Sequence, residues 1–152
     1  MKETKRTLKL FADLYSGEPW IGVNIHNTLQ QISSAQAAKK IQPQWNSIWQ
    51  IANHIICWRE NVLKRIQGEV ITTPTDNYMV SVYDTSEIAW QHTMERMEIS
   101  QTKWLAFLED CDKACFKEKY QGNDMSYYEH IHGILQHDAY HLGQIVLLSK
   151  AL

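Results

Sequence analysis

Apolar residues recur at three- and four-residue intervals in several stretches of this 152-residue chain, the spacing that collects side chains on one face of an α-helix. Residues 3 to 15 form a short amphipathic stretch, and Gly17-Glu18-Pro19-Trp20 interrupts it before a second one carrying Ile21, Ile25, Leu29 and Ile32. Ser33 or Ser34 starts a further turn through Ala38, and residues 39 to 44, with Pro43 close behind, form a connection. The next helix opens at Asn46 or Ser47, where Ser47 and Gln50 make a capping box, and runs to Gln67 with Gly68 as its stop. Its apolar arc is Ile48, Ile51, Ala52, Ile55, Trp58, Val62 and Ile66, with His54 at the border.

From Glu69 to Val82 the Thr-rich chain has no period, which predicts a long loop crossing between the second and third main helices. Asp84 with Glu87 caps the third helix, to about Asp110, and Gly122-Asn123-Asp124 precedes the fourth. Ser126 and Glu129 cap that last helix, and Tyr127, Ile131, Ile134, Ile145 and Leu148 form its stripe. Four main helices and no strand pattern predict an all-α fold, an antiparallel four-helix bundle with the long crossing loop. The length fits one domain over residues 1–152.

Composition narrows the partners. A formal charge of −2, with no basic stripe, gives no electrostatic reason to expect nucleic acid. Charges interrupt Met1 to Leu14 and no run is long enough to span a bilayer, so the expectation is a cytoplasmic protein without a membrane partner. Three cysteines fit a reducing compartment, and Cys111 and Cys115 continue the stripe of Trp90, Met94, Met97, Trp104 and Leu108, so they are expected to be apolar filler. Cys57 takes the same reading. Most of the six tryptophans are expected in the core.

The candidate chemistry lies in the last helix. His137 and His141 are four apart, about 40° around the helix and about 6 Å along it, so both imidazoles can reach one ion. His130, Gly133 and Gln144 share that face. Gly133, one turn before His137, leaves space beside an ion. His54 supplies a third imidazole if the second and fourth helices pack together, and three neutral nitrogens suit Zn, Ni, Co or Fe(II). Asp138 falls among apolar positions and needs a partner: either a ligand imidazole, whose tautomer it would fix, or Arg59 or a tyrosine hydroxyl across helices.

Several segments together resemble a known family: Gly17-Glu18-Pro19-Trp20, Asn46-Ser47-Ile48-Trp49 with His54 and Trp58-Arg59-Glu60, and His137-Asp138-Ala139-Tyr140-His141 with Gly143-Gln144-Ile145. They are similar to the entry loop, second helix and C-terminal signature of the DinB/YfiT-like superfamily, departing at Glu18 and at Ile21-Gly22 in the entry loop. The resemblance implies a four-helix fold and a divalent metal on His54, His137 and His141. It matches His26, His92, His130 and His132 to no ligand position, and these are expected to be surface or ordinary polar residues. It also implies a homodimer and a metal-dependent thiol S-transferase joining a low-molecular-weight thiol such as bacillithiol, mycothiol or glutathione to an electrophilic substrate. The alternatives are a metal-dependent hydrolase using activated water and a non-catalytic metal-binding stress-response protein. Asp138, Tyr140 and Gln144 are the candidates for supporting the ligands or moving protons.

Overall fold

The computed structural model describes residues 3–112 and 114–152; Met1 and Lys2 of the N-terminal stretch lie outside them. The described residues form six α-helices: α1 (Glu3–Ser16), α2 (Ile25–Gln30), α3 (Ser34–Ala38), α4 (Ile48–Ile66), α5 (Glu87–Asp110) and α6 (Tyr127–Ser149), with a 3-10 turn at Cys115–Lys117. The long helices α1, α4, α5 and α6 make the bundle, while α2 and α3 pack across the end where α1 finishes.

Polar residues set the ends of these helices. Ser47 and Ser126 each sit in a complete capping box, with Gln50 and Glu129 reaching back to the cap nitrogen. Helix α4 stops at Gly68, whose φ of +96° suits a residue without Cβ; Gly68 N donates to Arg65 O and Glu69 N to Lys64 O, the Schellman arrangement. The third long helix departs from expectation at its start. Ser86 is its cap, taking Ala89 N at 3.2 Å, and Asp84 instead accepts from Ser86 N. The two side chains serve different donors, Asp84 closing the turn that leads into the helix and Ser86 capping its first turn. Its end is the expected one, Asp110, so Cys111 and Cys115, which keep the spacing of the helical stripe, lie past the helix, half-buried in the connection.

Contacts along the seams fix the topology. Helices α4 and α6 are antiparallel, with Ile51 beside Gln144 and Leu148 and Arg59 paired to Asp138. Helices α1 and α5 are also antiparallel, through the Phe11–Trp104 stack at 4.7 Å and the Tyr15–Glu98 hydrogen bond at 2.6 Å. Helices α4 and α5 run parallel: Trp49 donates to Thr93 near both N-termini and Trp104 donates to Arg59 O a few turns later. Only two of the neighbouring pairs are therefore antiparallel. A parallel pair cannot be joined by a tight turn, so the chain from 67 to 86 must travel the length of the bundle.

The core surrounds one ion pair. Arg59 is 1% exposed and Asp138 is fully buried, and the guanidinium reaches the carboxylate at 2.7 Å. Arg59 also donates to Ser100 at 2.8 Å and to Gln101, and Gln101 donates to Phe11 O at 3.2 Å. Side chains of α4, α5 and α6 and backbone of α1 thus meet in one buried network. Removing one partner strands a charge: Asp138→Ala is predicted to cost about 3–5 kcal/mol in urea unfolding. The double change Arg59→Met/Asp138→Leu is predicted to cost clearly less.

Candidate metal centre

The α4/α6 seam that the ion pair fixes also brings three imidazoles together. The candidate ligand atoms of His54, His137 and His141 all lie within 4.8 Å of one another, and Nε2 of His54 is 3.0 Å from Nε2 of His137. Ring centroids are 4.9 Å apart for His54–His137, 4.6 Å for His54–His141 and 4.4 Å for His137–His141. His54 is 2% and His141 6% exposed, and the His137 side chain is 24% exposed, so the cluster opens to solvent on the His137 side.

The outer nitrogens are tied down. His54 Nδ1 lies 2.7 Å from Asn77 O, a carbonyl that only accepts, so Nδ1 carries the proton and Nε2 presents a lone pair. His141 Nδ1 donates to Gln144 Oε1 at 2.7 Å, which leaves its Nε2 as a lone pair too. His137 Nδ1 faces Asp138 Oδ1 at 3.4 Å, longer than an ordinary hydrogen bond. Both readings of Asp138 meet here, but the Arg59 contact at 2.7 Å is the strong one. Burial pushes the His54 pKa down to about 4, with the neighbouring imidazoles adding to it and the Asn77 carbonyl opposing. Burial lowers His141 as well, against the opposing hydrogen bond it donates to Gln144. The Nε2 lone pairs of His54 and His141, gathered beside His137, fit a divalent cation.

The crossing loop, featureless in the sequence, supplies part of this support. Asn77 and Tyr78 both adopt left-handed backbone, φ +53° and +61°, after a turn in which Asn77 N donates to Pro74 O. Asparagine tolerates that region and tyrosine rarely visits it, so surrounding contacts must hold the pair. Asn77 Oδ1 accepts from Trp58 Nε1 at 3.1 Å while its carbonyl holds His54, and Tyr78 Oη accepts from Asn61 at 2.7 Å. Pro74 ahead of Asp76-Asn77 was the turn signal available in the sequence. Nothing in the pattern said that the turn would land on His54.

Other expected positions sort as follows. Gln144 bridges His141 to Tyr140, donating to Tyr140 Oη at 3.0 Å, and Tyr140 is exposed. A Cβ on Gly133 would meet no atom within 4 Å, so the space beside His137 exists. Cys57 is outside the cluster and burial raises its pKa; Cys111 is raised to about 12, mainly by burial. Of the histidines expected to be ordinary polar or surface residues, His130 is buried, with Nδ1 donating to Ser126 O at 3.0 Å. Trp49, Trp90 and Trp104 are core; Trp20 and Trp45 are exposed and Trp58 is half-buried beside the centre.

Set beside known proteins, residues 23–145 match the family model described as the DinB superfamily. No curated protein matches the chain, and no solved structure does. No helix among the described residues is long and apolar enough to cross a membrane.

The buried neutral His54 carries a pH prediction for the metal-free protein. Below about 6.5 the unfolded chain protonates this imidazole while the folded one resists until about 4, so the unfolded state binds more protons in that window. Stability is therefore complete above about pH 6.5 and falls as pH drops towards 4. Urea unfolding across that range is predicted to show a smaller decline for His54→Gln than for the wild type.

Proposed function

The chain belongs to the DinB superfamily, and on that premise we propose that it is a metal-dependent enzyme transferring a low-molecular-weight thiol to an electrophile. His54, His137 and His141 hold the divalent ion. The observation that carries the reading is the cluster itself: three imidazoles, two of them fixed from behind by Asn77 and Gln144, converging where no carboxylate among the described residues joins them as a ligand. A dication held by neutral ligands alone keeps its full charge and lowers the pKa of a thiol or water at its open side.

The remaining chemistry falls to the chain. The side where His137 is partly exposed and Gly133 leaves room admits substrate, and Trp58 walls it, 6.0 Å from His137 ring to ring. A nucleophile from the protein is not at hand, since Cys57 lies outside the cluster with its thiol held protonated by burial. The cosubstrate therefore brings the nucleophile: its sulphur bonds to the electrophilic carbon, the leaving group departs with the bonding pair, and the thiol proton passes to solvent. Asp138 is engaged by Arg59, so Tyr140, exposed and hydrogen-bonded to the Gln144 that fixes His141, is the residue placed to carry that proton outward. Exposed Trp20, Trp45, Ile88 and Leu147 leave apolar surface for a second copy, in keeping with the homodimer that the family resemblance implies.

Conjugation of chlorobimane to a small thiol tests the reading. Activity is predicted to vanish on chelation, to return with added divalent metal, and to fall by about a hundredfold or more in His137→Ala, the scale on which lost positioning acts. Thiol-dependent turnover that survives both would refute the mechanism. Metal-dependent ester hydrolysis without thiol would assign the hydrolase instead.

A further inference from the structure

Four α4 residues, His54, Trp58, Asn61 and Arg65, recur at three- and four-residue spacing and so share one face. On α6 the face opposite holds His141, His137, Gly133 and His130. Because the two helices are antiparallel, the triad lies at one end of this double row and Arg65 with His130 at the other, both packed on the Tyr120 ring, at 5.1 and 5.2 Å. Between them Gly133 carries no side chain and a Cβ there would touch nothing. Tyr78 stands edge-on to Trp58 at 5.7 Å.

Arg65 is a half-buried cation that the fold leaves short of partners. Its guanidinium lies 5.5 Å from the Trp58 ring and gives one nitrogen to Thr73 Oγ1 at 2.9 Å and Ile71 O at 3.4 Å. Its Nε is buried with no hydrogen-bond partner, and none of the ion pairs among the described residues includes it. Asn61 Oδ1 and His130 Nε2, buried along the same row, are likewise unpartnered. Arg59, by contrast, has every nitrogen engaged. A half-buried guanidinium that pairs with no acid among the described residues is matched by a carboxylate, which it binds through paired hydrogen bonds.

We propose that Arg65 anchors a carboxylate of the thiol cosubstrate, at the end of the α4/α6 row away from the triad. The Trp58 ring stands 6.0 Å from the His137 ring and 5.5 Å from the Arg65 guanidinium, which bounds the separation of the two recognition points, so the cosubstrate is an extended molecule whose acid group reaches past Trp58 from its sulphur. The anion completes the donors that Thr73 and Ile71 leave over, and Trp58 lies between the two recognition points. The inference takes the identity of the ligand from the thiol-transfer reading, but it is tested by binding rather than turnover.

Isothermal titration of the metal-loaded protein with S-methylglutathione and with its dimethyl ester decides it. The acid should bind at least tenfold more tightly than the ester. Arg65→Gln should erase that difference, Arg65→Lys should keep part of it, and Thr73→Val, which removes the loop contact but not the charge, should keep it all. Equal affinities for acid and ester in the wild type, or a difference that persists in Arg65→Gln, would overturn the proposal; if Arg65→Gln fails to fold, the wild-type comparison and Arg65→Lys still decide. A charge dependence seen with 4-methylbenzoate and its ester but absent with S-methylglutathione would overturn the cosubstrate assignment and move the carboxylate to the electrophile. Equal acid and ester binding alongside metal-dependent conjugation would sink the Arg65 site alone, and Arg65-dependent binding without conjugation would sink the transferase reading alone.

Discussion

The buried pair of Arg59 and Asp138 is the constraint on which the rest of this molecule rests. Two charges with almost no exposed surface are tolerable only if every lone pair and proton finds a partner, so Ser100, Gln101 and the Phe11 carbonyl must stand where they do. Those partners come from two further elements, α5 and α1, which locks the rotation of α4 and α6 about their axes. Once that register is set, His54 faces His137 and His141 without further freedom. Asp138 is adjacent to His137 in sequence, so the same carboxylate that closes the core also stands behind the exposed member of the triad.

A second constraint is topological. Because α4 and α5 are parallel, the chain between them has to run back along the bundle, and it does so over the α4/α6 seam. Its left-handed Asn77 and Tyr78 then supply what helices alone lack: a carbonyl to fix the His54 tautomer and a side chain to orient Trp58. Strain in the backbone of about 1–3 kcal/mol for such a residue is offset by these contacts.

Much of this was legible in the sequence because it is written in short-range signals. The 3.6-residue period is the signal for the four long helices, Ser-x-x-Glu marks the start of α6 at Ser126, and Ser-x-x-Gln narrows that of α4 to Asn46 or Ser47, of which Ser47 is the cap. The His-x3-His pair and the border position of His54 brought three residues into view that the fold does assemble. What escaped was set by long-range packing. The parallel direction of α4 and α5 has no local signature, the roles of Asn77 and Tyr78 depend on where a 20-residue connection lands, and two capping residues two positions apart, Asp84 and Ser86, left the first turn of α5 ambiguous in the pattern. Cys111 and Cys115 kept the helical period but lie beyond the end of α5, where periodicity ceases to report structure. His130, taken as an ordinary polar residue, is buried because Tyr120 and the Ser126 carbonyl enclose it.

The central claim is that three imidazoles from two helices form one metal site, and direct metal analysis tests it most closely. Protein produced in its own host, stripped and reloaded with limiting divalent metal, should retain one equivalent per chain. His54→Ala, His137→Ala and His141→Ala should each lose most of it while keeping their helical circular dichroism, whereas His132→Ala should not. Full occupancy in the three single variants would contradict the account.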